Sequence, residues 1–210
     1  MKHVISSIEV QKNNKERVNI FVNDQYFLAC DMSLVYTKRL EKGKEIDKNI
    51  LQDIILEDNF IKAKSRGLRY LSKSYKTEKE VRDKLFQNGY DDYTINRVLE
   101  FLIEYDFVND ERYVELYIKE KCKKYGNNRI KFELQGKGID KQLLLSKLNE
   151  IDKEEEISRA YEIALKKYNQ LKNSSNEKNK IRRKLNDFLA RKGYNYDIIQ
   201  NIIRRIEVGE

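Results

Sequence analysis

Three glycines, Gly89, Gly138 and Gly193, frame most of this chain, because the same apolar columns stand at the same distances around each of them. Eight residues before the glycines stand Val81, Ile130 and Leu185; four before stand Leu85, Leu134 and Leu189. One after stand Tyr90, Ile139 and Tyr194. Six after stand Ile95, Leu144 and Ile199; ten after, Leu99, Leu148 and Ile203; thirteen after, Leu102, Ile151 and Ile206. The first two columns define one helix face, the glycine ends that helix in a left-handed cap, and the last three define the next helix. A further amphipathic stretch precedes each pair, over about 60–73, 110–125 and 154–171. Three helices, three times, predict a mainly α fold of tandem three-helix repeats. A helical trio this small buries little surface alone, so neighbours are expected to share a core and the array to be extended and curved.

The first 59 residues differ. Val4, Ile8 and Val10, then Val18, Ile20 and Val22, then 26–30 alternate as strands, with turn signals at Asn13-Asn14 and Asn23-Asp24. They predict a small antiparallel β-meander that leans on the helices after it, either as a structural cap or as a docking surface. A short helix around Leu34 and Val35 is expected to end near Gly43, and a second to cover about 47–56, with Asp58-Asn59 breaking or kinking the path. The expected division is 1–59 for the meander and short helices, then repeats over 60–106, 107–152 and 153–210. Thr77 and Glu80 form a capping box, and Asp91, Asp140 and Asn195 stand where short polar caps belong. Gly126-Asn127-Asn128 is expected to stop the helix that begins after Asn109. The polar stretch 172–180 reads as a flexible loop inside the third repeat.

Function has to be read from charge, because catalytic patterns are missing. There is no Gly-rich phosphate loop, GxSxG, HExxH or CxxC, so an enzyme is not expected. Glu154-Glu155-Glu156 opens a helix, where the dipole accounts for it. One histidine and two isolated cysteines, Cys30 and Cys122, give no metal site, no cofactor site and no redox motif, and fit a reducing, cytoplasmic compartment. No apolar run approaches the ~20 residues of a membrane span, and no helix has the apolar face of an interfacial anchor. The net charge of +8 directs attention to an anionic partner.

Because 43 basic and 35 acidic residues are well mixed, local clustering decides where that partner binds. Between Lys62 and Lys76 no acid interrupts the basic residues, and 178–205 is strongly basic. Any one lysine or arginine is most simply a solvated charge; recurrence in every repeat singles these out. The candidate contacts to a polyanion are Arg66, Arg69 and Lys73 in the first repeat. They continue with Lys123, Lys124, Arg129, Lys131 and Lys137 in the second, and Arg182, Arg183, Arg191 and Lys192 in the third. Tyr70, Tyr75, Tyr113 and Tyr125 either stack on bases or anchor the core and its rim.

The ordered motif Phe107-Val108-Asn109-Asp110-Glu111-Arg112-Tyr113, followed by Gly126, Arg129-Ile130, Glu133-Leu134 and Lys137-Gly138-Ile139, resembles the core signature of the regulatory protein RecX family. Leu71, Thr77, Glu80-Val81, Lys84-Leu85 and Gly89-Tyr90 are similar to that family's opening repeat. Lys184-Leu185, Phe188-Leu189 and Arg191 to Tyr194 are similar to its closing one. The resemblance implies a non-enzymatic modulator of the RecA recombinase, and the chain is expected to act as a monomer. Such a protein lies along the RecA–DNA filament and restrains ATP hydrolysis, strand exchange and co-protease activity. The implied partners are the RecA nucleoprotein filament and single-stranded, with double-stranded, DNA. The alternative is a protein that binds single- or double-stranded DNA without a recombinase; a third reading is a protein-interaction scaffold with no nucleic-acid role.

Overall fold

The computed structural model describes residues 3–173 and 177–208. It divides into two compact units, one of residues 1–75 and 81–108, the other of residues 76–80 and 109–210.

The first unit opens with a three-stranded antiparallel sheet in the order β1 (Ile5–Val10), β2 (Arg17–Val22), β3 (Gln25–Asp31). Asn23 and Asp24 adopt φ of 49° and 62°, the positive values a two-residue hairpin needs. Alternation puts Val18, Ile20 and Val22 on the buried face, where they join Ile5, Cys30, Leu34, Leu40, Ile46 and Ile54. The short helix α1 (Met32–Thr37), capped by the Asp31 carboxylate, ends well before Gly43, with Lys38 as its C-cap.

Asp58-Asn59 does not break the helix: α2 runs unbroken from Lys48 to Leu71. Asp58 is not used as a cap. Its buried carboxylate accepts from the Arg17 guanidinium at 2.9 and 3.2 Å, the Lys62 ammonium at 2.6 Å and the Asp31 N–H at 2.9 Å. Burial pushes the Asp58 pKa up, but these donors outweigh it and hold the carboxyl below its usual value. Removing one member of such a pair costs about 3–5 kcal/mol, so this residue pins the sheet to α2. The helices α3 (Glu78–Gln87) and α4 (Asp92–Glu104) pack Val81, Leu85, Ile95, Val98, Leu99 and Leu102 against Ala63 of α2.

The second unit holds α5 (Asp110–Lys121), α6 (Asn127–Gly136), α7 (Lys141–Asn149), α8 (Lys153–Lys172), α9 (Lys178–Lys192) and α10 (Tyr196–Val208). α5 stops at Lys121, one turn ahead of Gly126-Asn127-Asn128, and Gly126 is the N-cap of α6. Of the expected loop at 172–180, residues 174–176 lie outside the described residues, and helix occupies both ends of the rest. All six repeated columns are buried except at Tyr90 and Ile151, which are half-buried, and the three framing glycines have φ of 83°, 83° and 89°.

The expected shared core is not what the apolar residues form. Each helical trio has its own cluster: around Leu85 and Leu102, around Leu134 and Leu144, and around Leu189 and Ile203. Inside the second unit the joints are polar instead, and they are built twice to one plan. The Thr77 hydroxyl donates to the Lys137 carbonyl at 2.8 Å; the Gly126 N–H donates to the Lys192 carbonyl at 2.9 Å. Thr77 and Gly126 each stand twelve residues before a framing glycine, and Lys137 and Lys192 each stand just before the next one. One residue further on, the Glu78 N–H donates to the Asp110 carboxylate at 2.9 Å and the Asn127 N–H to Glu156 at 3.1 Å. The open N-terminal turns of α3 and α6 thus receive acceptors from the next repeat, satisfying N–H groups that no helix can satisfy internally.

Candidate functional site

This joint gathers several of the basic residues singled out in the sequence. The Tyr125 ring receives the Arg129 guanidinium at 4.2 Å from its centre and the Lys192 ammonium at 4.8 Å. Lys192 also lies 5.7 Å from the Phe188 ring, as does Lys167. The Arg129 guanidinium reaches the Arg191 carbonyl at 3.4 Å and Glu133 at 3.0 Å. Glu133 further accepts from the Tyr117 hydroxyl at 2.6 Å, and these two donors, the tyrosine first, keep its carboxyl below the usual range. Cations held against aromatic faces with their outer sides in water make a surface suited to phosphates and flat rings together.

Other expected contacts are placed elsewhere. Arg66 and Arg69 project from α2 beside a cleft of about 440 Å³ that also takes in Arg17, Tyr90, Glu16 and Asp31. Arg182 lines a cleft of about 370 Å³ between α9 and α10, with Glu207 at 3.7 Å. Lys137 is turned inward: its ammonium sits 2.6 Å from Glu80 and 5.5 Å from the Tyr113 ring centre. Among the described residues, Arg66, Arg69, Lys73, Lys123, Lys124, Lys131, Arg183 and the Arg191 side chain have no acidic partner within ion-pair distance. The twelve therefore sort into unengaged charges and charges already in use inside the chain, Arg129, Lys137 and Lys192 foremost.

Phe188, Glu133 and Glu156, which build the joint, were not among the expected site residues, although the first two stand in the family-like motifs. Glu133 had a signal, its four-residue spacing from Arg129; Glu156 had none, being hidden in a run explained by the helix dipole. Thr77 and Glu80 form the expected capping box, with bonds of 3.0 and 3.2 Å, and Asp91 and Asp140 cap α4 and α7. The Asn195 side chain instead accepts from the Asn128 amide. Of the tyrosines, Tyr113 stacks on Tyr117 within the second trio, Tyr70 lies at the edge of the first cluster, and Tyr75 is exposed. Tyr194 is buried with no partner for its hydroxyl, and burial raises its pKa to about 12.

No cluster of His, Cys, Asp or Glu able to hold a metal occurs among the described residues, and no described helix is long and apolar enough to cross a membrane.

Comparison with known proteins places this geometry. Four family models match in order: the regulatory protein RecX N-terminal domain over residues 3–47, and the first, second and third RecX three-helix domains over 63–102, 109–144 and 154–203. A regulatory protein RecX from Clostridium perfringens (strain SM101 / Type A) is 47% identical over 206 residues, 98% of this chain and 97% of the relative. Another, from Clostridium tetani, is 43% identical over 96% of this chain and 94% of its own length. A crystal structure of regulatory protein RecX superposes with a TM-score of 0.76 at 28% identity, covering 95% of this chain and 98% of that one. The RecX structure from Lactobacillus salivarius gives 0.66 at 29% identity over 72% of this chain and 99% of its own. With four domain models matching in order over most of its length, and a relative 47% identical over 98% of it, this chain belongs to the regulatory protein RecX family.

Proposed function

We propose that this protein regulates the RecA recombinase by binding along the RecA–DNA filament and restraining its ATPase, strand-exchange and co-protease activities. Family membership supports the class of function. The observation that carries the mode of binding is that every repeat has basic side chains without an acidic partner among the described residues: Arg66, Arg69 and Lys73, then Lys123, Lys124 and Lys131, then Arg183 and Arg191. Weak contacts repeated on one scaffold add as avidity, so no single site has to be strong. Nothing in this mode requires a catalytic group, a cofactor or a metal.

The test is direct. Adding the purified protein to RecA, single-stranded DNA and ATP should lower both ATP hydrolysis and strand exchange in a titratable way. Unchanged rates over a wide titration overturn the proposal.

A second reading, DNA binding independent of a recombinase, draws on the cations stacked against Tyr125 and Phe188. It predicts affinity for naked DNA that falls steeply with salt.

A further inference from the structure

The second unit contains a cleft of about 560 Å³ that none of the functional residues above explains, apart from Lys131 at its edge. Its walls are aliphatic: Leu145, Leu148 and Ile151 on one side, Ile157 and Ile198 on the other. Its rim is made of amides, two lysines and Asp197, and the buried Glu156 lines it as well. Asn127 and Asn128 are engaged, with Glu156 and Asn195 respectively. Among the described residues, Asn149 and Asn201 have no side-chain partner, and Lys131 and Lys153 have no acid. Asp197 is the one rim acid without a partner among these residues.

Three helices direct their positive ends to this cleft, since Asn127 begins α6, Lys153 begins α8, and Asn195 precedes α10. Acids already serve these ends, Glu156 at α6, Asp152 at α8 and Asp197 in the first turn of α10, so it is the unpaired Lys131 and Lys153 ammonium groups that favour an anion at the mouth. The buried charge in its lining, Glu156, is taken up by the Asn127 N–H and side-chain amide, which leaves aliphatic walls inside, and the exposed Asn149 and Asn201 amides at the rim each present a donor beside an acceptor. That pairing matches the edge of a nucleobase. The volume falls in the range of clefts that enclose a small organic group. An extended peptide would need a run of free amides at main-chain spacing, and only two are free.

We propose that this cleft accepts one unstacked nucleotide of single-stranded DNA. The base lies between the aliphatic walls, its edge meets the Asn149 and Asn201 amides, and the flanking phosphates meet Lys131 and Lys153. The inference rests on the reading that this protein touches DNA, and it adds a place where the protein holds a base as well as phosphates.

The experiment compares two labelled probes by fluorescence anisotropy: a single-stranded oligonucleotide, and a strand of the same length in which every residue is abasic. The intact protein should bind the base-bearing strand about tenfold more tightly, the worth of one good base contact. The double variant Asn149→Leu, Asn201→Leu should lose that preference and keep its affinity for the abasic strand. Lys131→Glu with Lys153→Glu should weaken both probes. Circular dichroism should match the parent in each case, because these side chains serve no other part of the fold. Equal affinity of the intact protein for the two probes overturns the cleft while leaving DNA contact standing. Binding to neither probe removes the DNA reading and the cleft together. A base preference that survives in the amide variant places the base elsewhere. Protection of residues 145–157 from hydrogen exchange by polyglutamate, and not by the oligonucleotide, makes the occupant an acidic peptide and also overturns it.

Discussion

At the scale of single residues, the difference between a lysine that binds a partner and one that holds the fold lies in what faces it. Lys137 shows the second case. Glu80 accepts from its ammonium and from the Thr77 N–H. Burial works against the charged form of both members, and the mutual hydrogen bond overcomes it, so that the Glu80 carboxyl is depressed and the Lys137 ammonium raised. A depressed carboxyl adds stability that is present above its unfolded pKa and lost as the pH falls through the folded one. A raised ammonium adds stability that is present below its unfolded pKa and lost as the pH rises through the folded one. With reference values of about 4.3 and about 10.4, the pair contributes evenly from about pH 5 to about pH 10 and fades outside that window. Both side chains are about a quarter exposed, so Glu80→Gln should cost about 1–2 kcal/mol within the window. Chemical denaturation across pH checks this; a difference between parent and variant that stays constant down to pH 2 contradicts it.

At the scale of elements, the three framing glycines were legible because two local demands coincide there, an apolar period that stops and a residue that can take positive φ. The break expected at Asp58-Asn59 was a misreading of equally local signals. Its correction lies in Arg17, 41 positions away in the chain, and no helix rule sees that far. The polar joints were invisible for the same reason: Thr77 and Lys137 are 60 positions apart, and their bond uses a backbone carbonyl, which leaves no trace in residue type. Likewise the basic residues of the candidate site were legible as types and positions, but which of them are occupied was not. The joint sets glycines of one conformation apart. Gly89 and Gly193 have φ of 83° and 89°, yet a Cβ at Gly89 meets nothing, whereas one at Gly193 comes 2.5 Å from the Arg129 backbone nitrogen. Gly89→Ala should therefore cost only the left-handed strain, about 1–2 kcal/mol. Gly193→Ala adds overpacking against a backbone that cannot yield, for a total of roughly 2–4 kcal/mol. Urea denaturation of the two variants separates strain from packing; equal losses would mean that the joint gives way freely.

At the scale of the whole molecule, an excess of positive charge says little until it is divided into what the fold uses and what it leaves. Reversing residues indiscriminately would mix the two. Arg129 and Lys192 hold the Tyr125 ring, and Lys137 holds Glu80, so their loss should lower the melting temperature before it says anything about a partner. Lys123, Lys124, Arg183 and Arg191 are exposed and have no acidic partner among the described residues. Changing all four to glutamate turns the net charge from +8 to 0, since each change removes two units. The helical circular dichroism and the melting temperature should barely move, because surface charges of this kind rarely contribute more than ~1 kcal/mol. Affinity for the RecA–DNA filament should fall at least about tenfold, and for single-stranded DNA the slope of log affinity against log salt should flatten by about 0.7 for each phosphate that is no longer neutralised. A flattened slope for naked DNA with filament binding intact would assign these residues to DNA alone, and the RecA-binding surface would then lie on other faces. A collapse of helicity would show that the fold itself depends on them, against their exposure.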